Sequence, residues 1–235
     1  LAVAIVGGSV CGGLAGALWP YRWSLCAFLG GLGVTALVYR LGRRNGQTNV
    51  ATMLLAGIAL TALASSAVGL FTYLADDATL RTLTFWNLGS LNGASYSRLW
   101  PLLLVTAGVA LWLPRRAKAL NALLLGESEA NHWGSNVEGL KRELVFCTAL
   151  GVGAAVAAAG MIGFIGLVVP HLVRLLAGPD HRVLLPASVL AGASLLLFAD
   201  LVARLALAPA ELPIGIVTAF IGAPFFLYLL LRGRA

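Results

Sequence analysis

Apolar runs of roughly bilayer length, broken by short polar stretches, fill almost the whole chain. A helix that crosses a bilayer needs about 20 mostly apolar residues. On that basis the pattern predicts eight spans: Leu1–Leu18, Trp23–Tyr39, Met53–Ala75, Leu99–Leu113, Leu144–Met161, Gly163–Leu176, Leu184–Leu207 and Ile214–Leu231. The sixth is short and glycine-bearing, so part of it is expected to be non-helical. The predicted class is an all-α polytopic transmembrane bundle, because only structures that satisfy their own backbone groups survive in lipid.

The stretch Gly160 to Arg182, GMIGFIGLVVPHLVRLLAGPDHR, sharpens that picture. Gly163 and Gly166 bracket Phe164 and Ile165, Pro170 interrupts the apolar run, and His171 follows inside it. Glycine and proline at membrane depth are tolerated where neighbouring helices or a water-lined cavity satisfy the freed backbone groups. A multi-helix protein with a pathway is expected, and not a simple anchor.

Two longer connections are predicted to hold structure of their own. In the outer one, Asp76 to Arg98, Asp76 and Asp77 are placed to cap a short helix through Trp86, which Gly89, Ser90 and Gly93 then break. Trp86 and Tyr96 suit the bilayer interface. The inner one, Pro114 to Glu143, contains LNALLLGESEANHWGSN. It is amphipathic and predicts short helices joined at Gly126 and Gly134, lying at the cytoplasmic surface.

Composition agrees with a membrane protein. Hydrophobic residues make up 60% and charged residues 11%, against about 25% charged in soluble domains. Mean hydropathy is +0.91. The net charge of +7 is not gathered into a patch that would fit nucleic acid; it falls in short clusters between apolar runs. If the spans alternate, one side holds twelve of the sixteen basic residues and the other holds Arg22, Arg81, Arg98 and Arg204. Lys and Arg mark the cytoplasmic side, so both ends of this chain are expected there. The chain opens at Leu1 without Met or a cleavable leader pattern, and its natural N-terminus is expected upstream.

Candidate chemistry is sparse. The lysines, Lys118 and Lys141, do not follow a glycine, so there is no phosphate-cradling loop and ATP hydrolysis by this chain is not expected. His132, His171 and His181 offer no chelating pair, and no metal or cofactor is expected on the chain. His171 beside Pro170 is expected to satisfy backbone groups. Gly8, Gly12 and Gly16 allow close helix packing, and Cys11, Cys26 and Cys147 read as small apolar residues. Asp200 and Arg204 stand at i, i+4 within an apolar span and can pair on one face. An ionisable residue there is a functional candidate.

The motifs together resemble a known family. GMIGFIGLVVPHLVRLLAGPDHRVLLP and ADLVARLALAPAELPIGIVTAFIGAPFFLYLLL, with MLLAGIAL, FWNLGSLNGASYSRLW and LNALLLGESEA before them, are similar to the FecCD family. These are permease subunits of bacterial ATP-binding-cassette importers for iron complexes and vitamin B12. The resemblance covers essentially all of residues 1–235, read as one transmembrane permease domain, N-terminally incomplete, with a cytoplasmic coupling segment at 114–143. It implies a vitamin B12 permease-like fold with ten spans, the first two absent here.

It also implies a homodimer of permeases, two cytoplasmic ATPase subunits that use the ATP, and a periplasmic substrate-binding protein, set in the bacterial inner membrane. By this resemblance Leu120 to Asn136 matches the ATPase-coupling helices, with Leu120, Leu124, Leu125, Gly126, Glu127, Ser128, Glu129 and Ala130 as the contact set. Thr48, Asn49, Val50, Ala51 and Thr52 match the cytoplasmic gate. Arg204, held by Asp200, matches a basic residue that docks the binding protein. Haem is the favoured substrate, ahead of ferric siderophore and cobalamin. The competing class is a passive channel or structural membrane subunit; the charged rings and carbonyl filters of a selective channel are not seen.

Overall fold

The computed structural model describes residues 22–44, 47–92, 94–132, 134, 136–206 and 212–232. The predicted first span, Gly8, Gly12, Gly16 and Cys11 lie outside the described residues, as does most of the turn before Leu212. The elements are α1 (Arg22–Gly42), β1 (Arg43–Arg44), β2 (Gln47–Thr48), α2 (Val50–Tyr73), α3 (Asp77–Leu88), α4 (Tyr96–Trp112), α5 (Ala117–Leu123), α6 (Glu127–His132), α7 (Val137–Ala159), α8 (Ile165–Ala177), α9 (His181–Leu205) and α10 (Ile214–Arg232). A 3₁₀ turn, Leu113–Arg116, leads into α5. The all-α expectation holds apart from β1 and β2, a two-residue antiparallel pairing that bends the chain between α1 and α2.

By length and apolar composition α2, α7 and α9 are each able to cross a bilayer. α2 has no buried residue, and Leu54, Leu55 and Ile58 are exposed on it. An apolar helix with no core behind it needs lipid or another chain around it. α8 has 13 residues, short as expected. The fifth predicted span differs from expectation: its helix, α7, starts at Val137 and not near Leu144. Its polar first turns, with Glu138, Lys141 and Arg142, continue the helix because charged residues there are good helix formers and Asn136 caps the start, its Oδ1 accepting from Gly139 N–H at 2.8 Å.

The described residues fall into two compact units. One draws on the described residues within 22–83, 95–109 and 134–158. In it α1 packs on α2, and Gly31 and Gly153 let α1 and α7 approach, with the Phe28 ring over Gly153. The other draws on the described residues within 84–94, 110–132 and 159–232. Its core lies along α9, where Val169, Val173 and Leu184 form one buried cluster and Ala199, Ala203, Ile214 and Val217 another.

The non-helical stretch between α7 and α8 belongs to this second unit and shows how glycine is used at depth. Gly160 has φ +76, and a Cβ there would run into the Trp86 carbonyl. That carbonyl accepts from Met161 N–H at 3.4 Å, and Ser90 N–H donates to Ala159 O at 2.9 Å. The end of α3 thus takes up backbone groups that the break in helix would strand. Phe164 then opens α8 at φ 66. Pro170 lies inside α8, and the His171 ring packs edge-on against Phe225, with centroids 6.4 Å apart.

Candidate functional site

The segment Thr48 to Thr52 joins the short pairing to the start of α2. Asn49 is the N-cap: its Oδ1 accepts from Thr52 N–H at 3.1 Å, while its own N–H donates to Gly42 O at 2.9 Å. Asn49, Val50, Ala51 and Thr52 are exposed, and Thr48 is buried at 6% exposure. Thr48 is bound by two side chains from the first turns of α7. Its N–H donates to Glu138 Oε1 at 3.1 Å and its hydroxyl to Oε2 at 2.6 Å. Lys141 Nζ donates to the Thr48 carbonyl at 3.2 Å and to Glu138 Oε1 at 3.3 Å. In the sequence Lys141 counts toward the charge bias and the missing phosphate loop, and nothing singles out Glu138; the pairing spans 90 residues, and no local pattern marks it.

The inner amphipathic segment forms α5 and α6, joined through Leu124, Leu125 and Gly126. Gly126 has φ +114 with open space where a Cβ would stand, so the backbone angle and not crowding calls for glycine. The proposed contact residues divide by exposure. Leu124, Leu125, Glu127, Ser128 and Glu129 face outward; Leu120 is half-buried, and Ala130 is fully covered.

Asn121 fixes this segment to the start of α9. Its Nδ2 donates to Asp180 Oδ1 at 2.7 Å, and its Oδ1 accepts from His181 N–H at 2.9 Å. His181 Nδ1 lies 2.8 Å from the same oxygen, within reach in the Nδ1–H tautomer. Asp180 is the N-cap of α9, accepting from Arg182 N–H at 2.9 Å. That N–H, then the Asn121 amide, hold the Asp180 carboxyl below its ordinary range, with slight desolvation opposing.

At the other end of α9, Arg204 Nε donates to Asp200 Oδ2 at 2.9 Å, as the i, i+4 spacing predicted. The side chains are 48% and 22% exposed, respectively. Among the described residues no group of three or more His, Cys, Asp or Glu is placed to hold a metal ion.

A family model described as the FecCD transport family matches residues 1–232. The haemin transport system permease protein HmuU of Yersinia pestis is 47% identical over 217 residues, covering 91% of this chain and 64% of that protein. The vitamin B12 import system permease protein BtuC of Klebsiella pneumoniae is 45% identical over 219 residues, covering 93% and 65%. The chain thus spans slightly less than two thirds of the length of these relatives. A solved structure assigned as an inward-facing metal-chelate type ABC transporter superposes with TM-score 0.83 at 34% identity, over 90% of this chain and 68% of that one.

Proposed function

The chain belongs to the FecCD transport family, and on that premise we propose that it is the permease of a binding-protein-dependent ABC importer that moves an iron chelate, haem first, across the bacterial inner membrane. The observation that carries the haem reading is the 47% identity to a haemin permease across 91% of the chain. Cobalamin is the second reading, because a vitamin B12 permease stands at 45%. A large metal chelate calls for an apolar pathway without strong ligands, since tight binding would stall transport. The scattered histidines fit that requirement.

In this reading a homodimer of permeases works with two ATPase subunits and a periplasmic binding protein. The permease holds no cofactor, and ATP is consumed by the partner. Leu124, Leu125, Glu127, Ser128 and Glu129 are the outward part of the ATPase contact, with Leu120, Gly126 and Ala130 shaping it. Thr48 to Thr52 form the cytoplasmic gate, and Arg204, oriented by Asp200, docks the binding protein. The excess of basic residues on one side of the alternating spans supports an orientation with both ends of residues 1–235 in the cytoplasm.

The test is uptake into proteoliposomes that carry the permease, its ATPase and its binding protein, with haem, a ferric siderophore and cobalamin offered in parallel. ATP-dependent uptake of haem above the other two is the expected result. Uptake of cobalamin alone selects the second reading. Uptake of any of them without ATP moves the protein to the passive class.

A further inference from the structure

Thr48 is the one residue of the gate segment that is buried, and its N–H, hydroxyl and carbonyl are all engaged by α7. A carboxylate suits that grip, because its two oxygens accept from two donors at once, where a carboxamide offers one acceptor. Lys141, 12% exposed, neutralises the charge and closes the ring onto the Thr48 carbonyl. The Glu138 side chain keeps 33% of its surface exposed, so the grip on Thr48 rests on the shared hydrogen bonds more than on the charge pair, which alone is worth little where water reaches it.

Both neighbours of the ring are themselves fixed. On one side Asn49 caps α2, so a displacement of Thr48 carries the first turn of α2 with it. On the other, Glu138 lies two residues beyond Asn136, the end of the inner amphipathic segment and the cap of α7. We propose that Glu138 and Lys141 are positioning residues that tie the gate segment to the first turn of α7, so that the gate follows that turn when it moves. The proposal rests on reading Thr48 to Thr52 as the gate.

The experiment places an Ala51→Cys reporter, exposed in the structure, in the permease–ATPase complex with Cys11, Cys26 and Cys147 replaced by alanine. Labelling by a membrane-impermeant maleimide is timed with and without ATP and magnesium. With the tie intact, nucleotide changes the labelling rate. Glu138→Ala brings the ratio of the two rates to near one, a loss of about tenfold in response, as expected for a charge-assisted hydrogen bond. Glu138→Asp restores much of the response, which a residue that merely stabilised the fold would not do selectively. Lys141→Met gives a smaller loss.

If Glu138→Ala fails to assemble, Glu138→Gln, which keeps one acceptor, replaces it, with an intermediate ratio expected. A ratio unchanged by these substitutions overturns the tie and leaves the gate standing. A reporter that ignores nucleotide in the intact protein removes the gate assignment, and the tie falls with it.

Discussion

The two ends of α9 carry polar side chains for opposite reasons. At the start, Asp180 and His181 are held by Asn121, 59 and 60 residues away in sequence. At the finish, Asp200 and Arg204 hold each other one turn apart. A long-range bond sets where the helix sits against α5. A local i, i+4 pair would form in an isolated helix and contributes only about 0.2–0.5 kcal/mol. In the proposed orientation the start of α9 is its inner end and reads as a joint of the fold, and the finish is its outer end, a charge set in a chosen direction. The exposures of Arg204 and Asp200, 48% and 22%, fit the second description.

The largest expected effect lies just past the inner joint. Replacing Leu124 and Leu125 together with glutamate puts two charges on an exposed apolar pair that we assign to the ATPase contact. Substrate-stimulated ATP hydrolysis is expected to fall to the basal level. A complex that assembles and responds normally would remove that assignment and leave the inner joint with no partner to serve.

Asn121→Ala tests the joint itself. It strips the His181 N–H and the exposed Asp180 carboxylate of a partner; the half-buried His181 bond alone is worth about 1 kcal/mol, read as a lower unfolding temperature in detergent. Asn121→Asp is expected to be worse, because it sets a carboxylate against Asp180. Acid gives a smaller and graded version of the same loss. The folded Asp180 carboxyl lies below its ordinary range. Its contribution is thus fully present above the unfolded value, about 3.9, and is lost as pH falls through the lower folded one. Melts from pH 7 to pH 2 are expected to show that acid limb weakened in Asn121→Ala. An unaltered limb would separate Asp180 from Asn121.

Much of α9 was legible in the sequence because local rules govern it. The apolar run gave the span, and i, i+4 spacing gave Asp200 with Arg204. Gly178 to Arg182 is a charged break between two apolar runs, but the capping role of Asp180 within it was not singled out from the sequence. Its partner was not legible, since nothing in LNALLLGE tells Asn121 from a solvated asparagine. The same holds in the other unit, where Glu138 and Thr48 meet across 90 residues. The division of the contact set was not legible either: the family resemblance placed Leu120 and Ala130 with the rest, and packing turns Ala130 inward. The start of α7 was missed for a different reason. Charges read as a loop boundary are compatible with a helix that emerges from the bilayer before it ends.

The smallest effect on stability is expected at Arg204, and it is the substitution that most sharpens the contrast. Arg204→Ala removes one half-exposed pair, so unfolding should shift by no more than about 0.5 kcal/mol, well under Asn121→Ala measured alongside. Arg204→Glu leaves two carboxylates one turn apart and should cost a similar small amount. In docking the order is reversed. A rim charge acts mainly on association and is screened by salt, so binding-protein capture at low salt should weaken in Arg204→Ala and more in Arg204→Glu. The difference should shrink at high salt, where the Debye length is about 3 Å at 1 M. Equal capture by all three forms at low salt would make Arg204 a structural partner of Asp200 alone. A loss of stability matching Asn121→Ala would make the outer end a joint as well, and the distinction between the two ends of α9 would not stand.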